Sequence, residues 1–241
     1  MPTTLLSVVQ DASDELGLPH PSSALSNPDL TVIQLVALTR AAGDALTKRR
    51  LWRFLVRLSS FTTTTAEYYA LPSDFNRTVD NTLWDGTNHW PLDGPLLAQE
   101  WQYLNRGIVS SGPRMQFRLS QNRIQVRPTP VTAGYAISYF YHSKWWIYTD
   151  GVTSTDDVTL MSTFANDTDK IVYEHRLIVD AVKLRFLQAK GFDTTAVAQD
   201  LQNSLDDAIS ADTGAMKLNL SRGRLYYPLV GVQNIPDGNW P

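Results

Sequence analysis

The chain has 241 residues, 43% of them apolar and 19% charged, with a formal net charge of −3. That length and composition describe a globular protein able to bury a real core and exclude a disordered chain. The near-neutral charge argues against a protein that wraps nucleic acid, and the absence of cysteine excludes disulfides, thiolate metal sites and cysteine nucleophiles.

Leu5, Val9, Ala12 and Leu16 recur at helical spacing and predict a first helix over 4–16, stopped by Gly17 and Pro19. After a Pro/Ser loop, a second helix opens at Asn27 or Asp29 with Pro28 in its first turn, and buries Leu35, Leu38, Ala42, Ala45 and Leu46. Leu51, Phe54, Leu55 and Leu58 continue the helical spacing until the β-branched run at 62–65 breaks it. From about 59 to 165 the period becomes two. Met115, Phe117 and Leu119 alternate with polar residues, as do Ile124 and Val126, and with a turn at 120–122 they predict a hairpin with one wet face. Tyr135, Ile137, Tyr139 and Tyr141 predict a further strand with an aromatic face, and 96–106 a short helix. Trp84, Trp90, Trp101, Trp145 and Trp146 are expected as core or edge-covering residues of this β region. Helical spacing returns over 171–190 and ends at Gly191. Asp193 caps a last helix with Val197, Leu201, Leu205, Ala208 and Ile209 on one face, ended by Gly214.

Each amphipathic helix must bury its stripe, so the terminal helices are expected to pack on one another. The predicted fold is α+β: a helical bundle from 1–58 and 169–214, an inserted antiparallel β domain over 59–168, and an extended C-terminal arm over 215–241. The arm has no clean period, yet it carries Leu225, Tyr226, Tyr227, Pro228, Leu229, Val230, Ile235 and Trp240. Burying each large side chain contributes about 1.5–3 kcal/mol, while ordering each backbone unit costs about 1–2 kcal/mol. Side-chain burial alone therefore cannot hold the arm. Backbone hydrogen bonds must be added, and a neighbouring chain supplies them by strand addition or groove docking. The alternative is that the arm lies back on its own body.

Two charge patterns accompany it. Lys48, Arg49, Arg50, Arg53 and Arg57 form a basic cluster, with Arg50, Arg53 and Arg57 predicted to lie on one helical face. It is a candidate for DNA phosphates, for inter-subunit ion pairs, or for simple solvation. Asp193, Asp200 and Asp207 recur every seven residues, with no basic residue between 193 and 212. In a ring they would line a negative lumen along which DNA slides; otherwise they keep the helix soluble or pair with the basic cluster.

No catalytic residue, cofactor or metal site is expected. His20, His89, His142 and His175 are dispersed without ligand spacing, and no nucleophile elbow, phosphate loop or dinucleotide turn is present. A glycosidase needs only two facing carboxylates, so Glu100 beside Trp101 and Glu174 beside His175 are the positions to inspect. Nothing approaches the roughly 18–20 apolar residues that span a bilayer, and Met1 to Gln10, with no Lys or Arg, does not read as a signal peptide.

Several segments taken in order carry a family likeness. Leu5-Leu6-Ser7-Val8-Val9-Gln10-Asp11 leads to Asp14-Glu15-Leu16-Gly17-Leu18-Pro19. Tyr69-Ala70-Leu71-Pro72-Ser73-Asp74-Phe75 precedes Trp84-Asp85-Gly86-Thr87 and Trp90-Pro91-Leu92-Asp93-Gly94-Pro95. Arg185-Phe186-Leu187-Gln188-Ala189-Lys190-Gly191 and the ending Asn234-Ile235-Pro236-Asp237-Gly238-Asn239-Trp240-Pro241 complete the set. Together they resemble the head-to-tail adaptor (connector) proteins of tailed bacteriophages, notably those similar to tail tubular protein A of short-tailed phages. The resemblance implies a virion protein made in the host cytoplasm, with no membrane association. It implies a homo-oligomeric, dodecameric ring at the head–tail junction, between the portal protein and the tail tube or nozzle protein. Genomic DNA would pass through its channel without sequence readout. A terminal extension along the portal is a further implication, here carried onto the aromatic arm. The rival readings are a virion-borne cell-wall-degrading enzyme and a general DNA-binding module.

Overall fold

Thr4 opens the first helix, α1 (Leu5–Glu15), through a capping box in which its hydroxyl accepts from the Ser7 N–H and the Ser7 hydroxyl accepts from the Thr4 N–H. Leu5, Val8, Val9 and Ala12 are buried, and Gly17, at φ +68°, turns the chain away. The computed structural model describes residues 3–106, 115–127, 133–149 and 160–213, which form an α+β fold.

Helix α2 (Leu30–Arg49) is capped by Asp29, whose carboxylate accepts from the Thr31 N–H, so Pro28 lies outside the helix and not in its first turn. Its buried face runs Val32, Leu35, Val36, Thr39, Ala42, Gly43, Leu46 and Thr47, with Leu38 and Ala45 at the border. The expected helical continuation through Leu58 does not form. Arg50 is extended, Arg53–Leu55 make one 3₁₀ turn, and strand β1 (Val56–Thr62) follows. Trp52 is the physical reason. Its indole N–H donates to the Leu46 carbonyl, one of the last-turn acceptors left without an intrahelical partner, and the ring is 1% exposed. The chain thereby folds back on the end of α2.

The β region then runs β2 (Tyr68–Ala70), β3 (Phe75–Thr78), β4 (Trp84–Asp85), β5 (Trp90–Pro91), helix α3 (Ala98–Arg106), β6 (Gln116–Ser120), β7 (Arg123–Arg127) and β8 (Ala136–Ser143). One sheet has the order β1-β8-β4-β5 with β3 also on β8; a second has the order β2-β7-β6; all pairs are antiparallel. Gln121 and Asn122, at φ +50° and +59°, make the two-residue turn of the β6–β7 hairpin. Phe117, Ile124 and Val126 are buried as the alternation requires. Gln125 on the supposedly wet face is buried too, because its amide donates to Glu67 and to the Tyr68 hydroxyl. Ile137, Tyr139 and Tyr141 of β8 face the same core, where Phe61 stacks on Tyr69 and Phe75 on Tyr141.

Three short strands, β9 (Ile147–Tyr148), β10 (Leu160–Met161) and β11 (Lys170–Ile171), pair in the order β10-β9-β11 and sit under the helices. The helix expected from Ile171 begins later, as α4 (His175–Lys190). Lys170 and Ile171 are strand because the Ile171 N–H bonds to the Thr3 carbonyl and the Leu5 N–H to that of Asp169. Gly191, at φ +76°, ends α4. Asp193 accepts from the backbone and hydroxyl of Thr195 at the start of α5 (Thr195–Thr213). Gly214 lies outside the described residues. Helix α4 packs on α1, α2 and α5. Trp146 belongs to this helical core and not to that of the β region; Trp101 is buried, whereas Trp84 and Trp90 are partly exposed.

A charged network pins α1 and α5 to α4. Asp180 is fully buried and pairs with Arg176; Arg176 and Lys183 both reach Glu15 of α1, and the Ser204 hydroxyl of α5 donates to Asp180. Burial by itself raises the Glu15 pKa, but the hydrogen bond from Lys183 and the charges of Lys183 and Arg176 outweigh it and hold the carboxyl below its ordinary 4.5. A lowered folded-state pKa gives stability that is complete above 4.5 and lost as pH falls through the folded value. Thermal melts are therefore expected to show an acid-side loss of stability beginning below about pH 4.5 that is shallower in Glu15→Gln. Equal acid slopes in the two proteins would remove Glu15 from the account.

Candidate assembly surface

The bend between α2 and β1 meets the end of α5, and this corner decides where the basic cluster goes. Arg50 donates to the Thr213 hydroxyl at 2.6 Å, and Arg53 Nη1 donates to the Thr213 carbonyl at 2.8 Å. The Arg53 N–H is accepted by both oxygens of Asp212, at 3.1 and 3.2 Å. Cations at a helix C-terminus satisfy its orphan carbonyls and oppose its partial negative charge. Arg49 bonds to Gln202 further up α5. Arg50, Arg53 and Arg57 therefore do not share a helical face: the first two are engaged with α5, and Arg57 is half-buried on β1. The cluster meets the last helix through Asp212, Thr213 and Gln202.

Asp193, Asp200 and Asp207 are all exposed, the last two on the outer side of α5, with Asp206 beside Asp207. Helix α5 buries only Leu205 and Ala208, while Val197, Leu201 and Ile209 are half-covered, so it is the least enclosed of the long helices.

A second surface lies on the five-stranded sheet. Leu58 of β1 stands opposite Phe140 of β8, and Trp84 of β4 stands opposite Ser138. Side chains alternate across the sheet, so Leu58, Phe140 and Trp84 share the face away from the tyrosine core, 62%, 44% and 36% exposed. Periodicity placed Leu58 on a helix and so missed this face. Had the strand been recognised, the outward apolar positions of 56–62 would have been the signal.

The enzyme candidates take structural places. The Glu100 carboxylate accepts from the Leu97 N–H at 2.7 Å and caps α3, with Trp101 buried behind it. Glu174 is the residue before α4, and His175 pairs with Asp11 of α1. His20 bonds to Asp14, and His142 is buried, its pKa lowered by that burial and then by the charge of Arg77. Among the described residues no group of three or more His, Asp or Glu side chains is placed to hold a metal, and no helix is long and apolar enough to cross a membrane. Leu225, Tyr226, Tyr227, Pro228, Ile235 and Trp240 of the predicted arm lie outside the described residues.

A mixed α+β body with exposed apolar and acidic surfaces, and with the Glu100 carboxylate used as a helix cap, has the character of an assembly component. The chain belongs to the SU10 adaptor protein family, whose model matches residues 3–225. No curated protein matches the chain. This is a family of structural phage adaptors and not of enzymes, so the protein is a virion component that contacts other virion proteins.

Proposed function

We propose that the protein forms a dodecameric ring at the head–tail junction, joining the portal protein to the tail tube or nozzle protein around a channel for genomic DNA. In this reading 1–58 and 169–214 are the helical body, 59–168 the inserted β domain, and 215–241 the arm that grips a neighbouring subunit through Leu225, Tyr226, Tyr227, Pro228, Ile235 and Trp240. The exposed carboxylates Asp193, Asp200 and Asp207 suit a lumen that repels DNA phosphates, while Arg50 and Arg53 stabilise the corner from which the arm departs. Arg57, near that corner, is left for an inter-subunit charge. The finer likeness to tail tubular protein A belongs to the same proposal.

The observation that carries it is the anchoring of α5: Arg50 and Arg53 hold Thr213, so the apolar residues that follow start from a fixed point on the body. Repetition around a ring makes even a weak grip effective, since each docked copy raises the effective concentration of the next. Deleting 215–241 is expected to leave a folded chain with a cooperative melt that is missing from purified particles, which then lack tails. Tailed particles at the parental yield would refute the arm's role.

A further inference from the structure

Among the described residues strand β1 is a sheet edge, and its register with β8 decides which backbone groups it leaves over. On the far side of β8, the Ala136 and Phe140 carbonyls are taken by the N–H groups of Gly86 and Val79, and at the end of the pair the Thr63 N–H bonds to the Tyr135 carbonyl. Bonding direction alternates along an antiparallel pair. Arg57, Ser59 and Phe61 therefore bond to β8, whereas Leu58, Ser60 and Thr62 direct their N–H and C=O groups outward, where the described residues supply no partner. Open edges are usually blunted by shortness, proline or charge. The opposite edge of the sheet obeys this: β5 is two residues long and contains Pro91. By contrast β1 has seven residues, no proline or glycine, and Arg57 as its one charge. Exposed Leu58 and Phe140 flank it on the outer face.

An incoming extended strand would satisfy both the backbone edge and the apolar flank. The position of α5 indicates which strand. Asp212 and Thr213 are bonded to Arg53, just ahead of β1, so every copy holds the end of α5 at the foot of this edge. The apolar run at 225–230 begins further on: the chain from Thr213 to Leu225 can span at most about 40 Å, against about 23 Å for β1. That reach is long enough to pass a chain's own edge and meet the same edge on the next copy. Pro228 then sets the parity, since a proline is tolerated only where its missing N–H faces away from the pairing partner. Leu225, Tyr227 and Leu229 would bond to β1, with Pro228 pointing outward.

We propose that residues 225–230 of one copy add as a strand to the outer edge of β1 in an adjacent copy. The proposal rests on reading 215–241 as a partner-binding arm, and names its acceptor. To test it, particles are assembled from equal pools of isotopically heavy and light chains carrying a photo-crosslinking benzoylphenylalanine at residue 60. Heavy-to-light crosslinks from residue 60 to 225–230 are expected. Crosslinks confined to same-label pairs, or none to 225–230, would overturn the proposal. Independently, Ser60→Pro removes one outward N–H without touching the β8 ladder. It should melt close to the parent yet enter particles about tenfold less or worse, while Ser60→Ala enters normally. Parental incorporation of Ser60→Pro would also overturn the acceptor site. Loss of tails on deleting 215–241, alongside such a result, would leave the arm itself standing, so the two readings fail separately.

Discussion

Trp146→Ala is expected to cost about 4 kcal/mol, the middle of the range for truncating a buried aromatic, and so a large share of the total stability of an ordinary domain. The indole is 2% exposed and packs edge-on to Phe164 at 5.6 Å and beside Tyr173 at 5.9 Å. Gly43 of α2 makes room for it: a Cβ at that position would come within 2.2 Å of Trp146 Cζ2. Glycine lowers helix stability by about 1 kcal/mol relative to alanine, so α2 gives up local helix propensity to admit the ring. The indole N–H donates to Asp44 at 2.9 Å, on the exposed side of α2. Urea unfolding separates the two contributions. Asp44→Ala should cost about 1 kcal/mol or less, the net worth of one hydrogen bond. A Trp146→Ala protein no less stable than Asp44→Ala would mean that packing is not what the ring supplies.

Asp180→Ala is the second large effect, expected at about 3 kcal/mol, because removing one member of a buried ion pair leaves its partners uncompensated. Arg176 approaches Asp180 at 2.8 Å and Lys183 at 3.8 Å. Arg176 is half exposed and can rehydrate, which keeps the cost toward the lower end; Lys183, at 12% exposure, is left with Glu15 alone. The Ser204 hydroxyl loses its acceptor at the same time, loosening α5. Hydrogen exchange should therefore show a greater loss of protection in α5 than in α2. Since α5 carries Asp212 and Thr213 to the β1 corner, the variant should also enter particles poorly. Uniform loss of protection through all helices would instead mark a general destabilisation and count against a pinning role for Asp180.

Much of the fold was legible in the chain because its signals are local. A turn at 120–122 between alternating apolar runs predicts the β6–β7 hairpin, and within it Gln121 and Asn122 adopt the left-handed conformations of a two-residue hairpin loop. Gly17 and Gly191 end their helices in that same conformation, where a side chain would be strained. Asp200, Asp206 and Asp207 of α5 are exposed, as their spacing on a helix with one apolar stripe demands. The candidate surface was only half legible. Its charges were recognised, but the three arginines were set on a helix that does not exist.

The difference lies in the range of the deciding interaction. Helix caps, turn residues and alternation act within a few positions, so composition and order alone specify the hairpin, the helix stops and the α+β class. Leu51, Phe54, Leu55 and Leu58 fit a helical stripe as well as an edge strand, and their neighbours contain nothing to choose between the two. The choice is made by Trp52 closing the end of α2 and by pairing with β8, about eighty residues away along the chain. Trp146 is the same case: it follows a β strand, yet its burial energy is gained against α2, because only the assembled helices offer the gap at Gly43. Contacts of that range depend on where other elements come to rest, and the packed tertiary structure alone decides them.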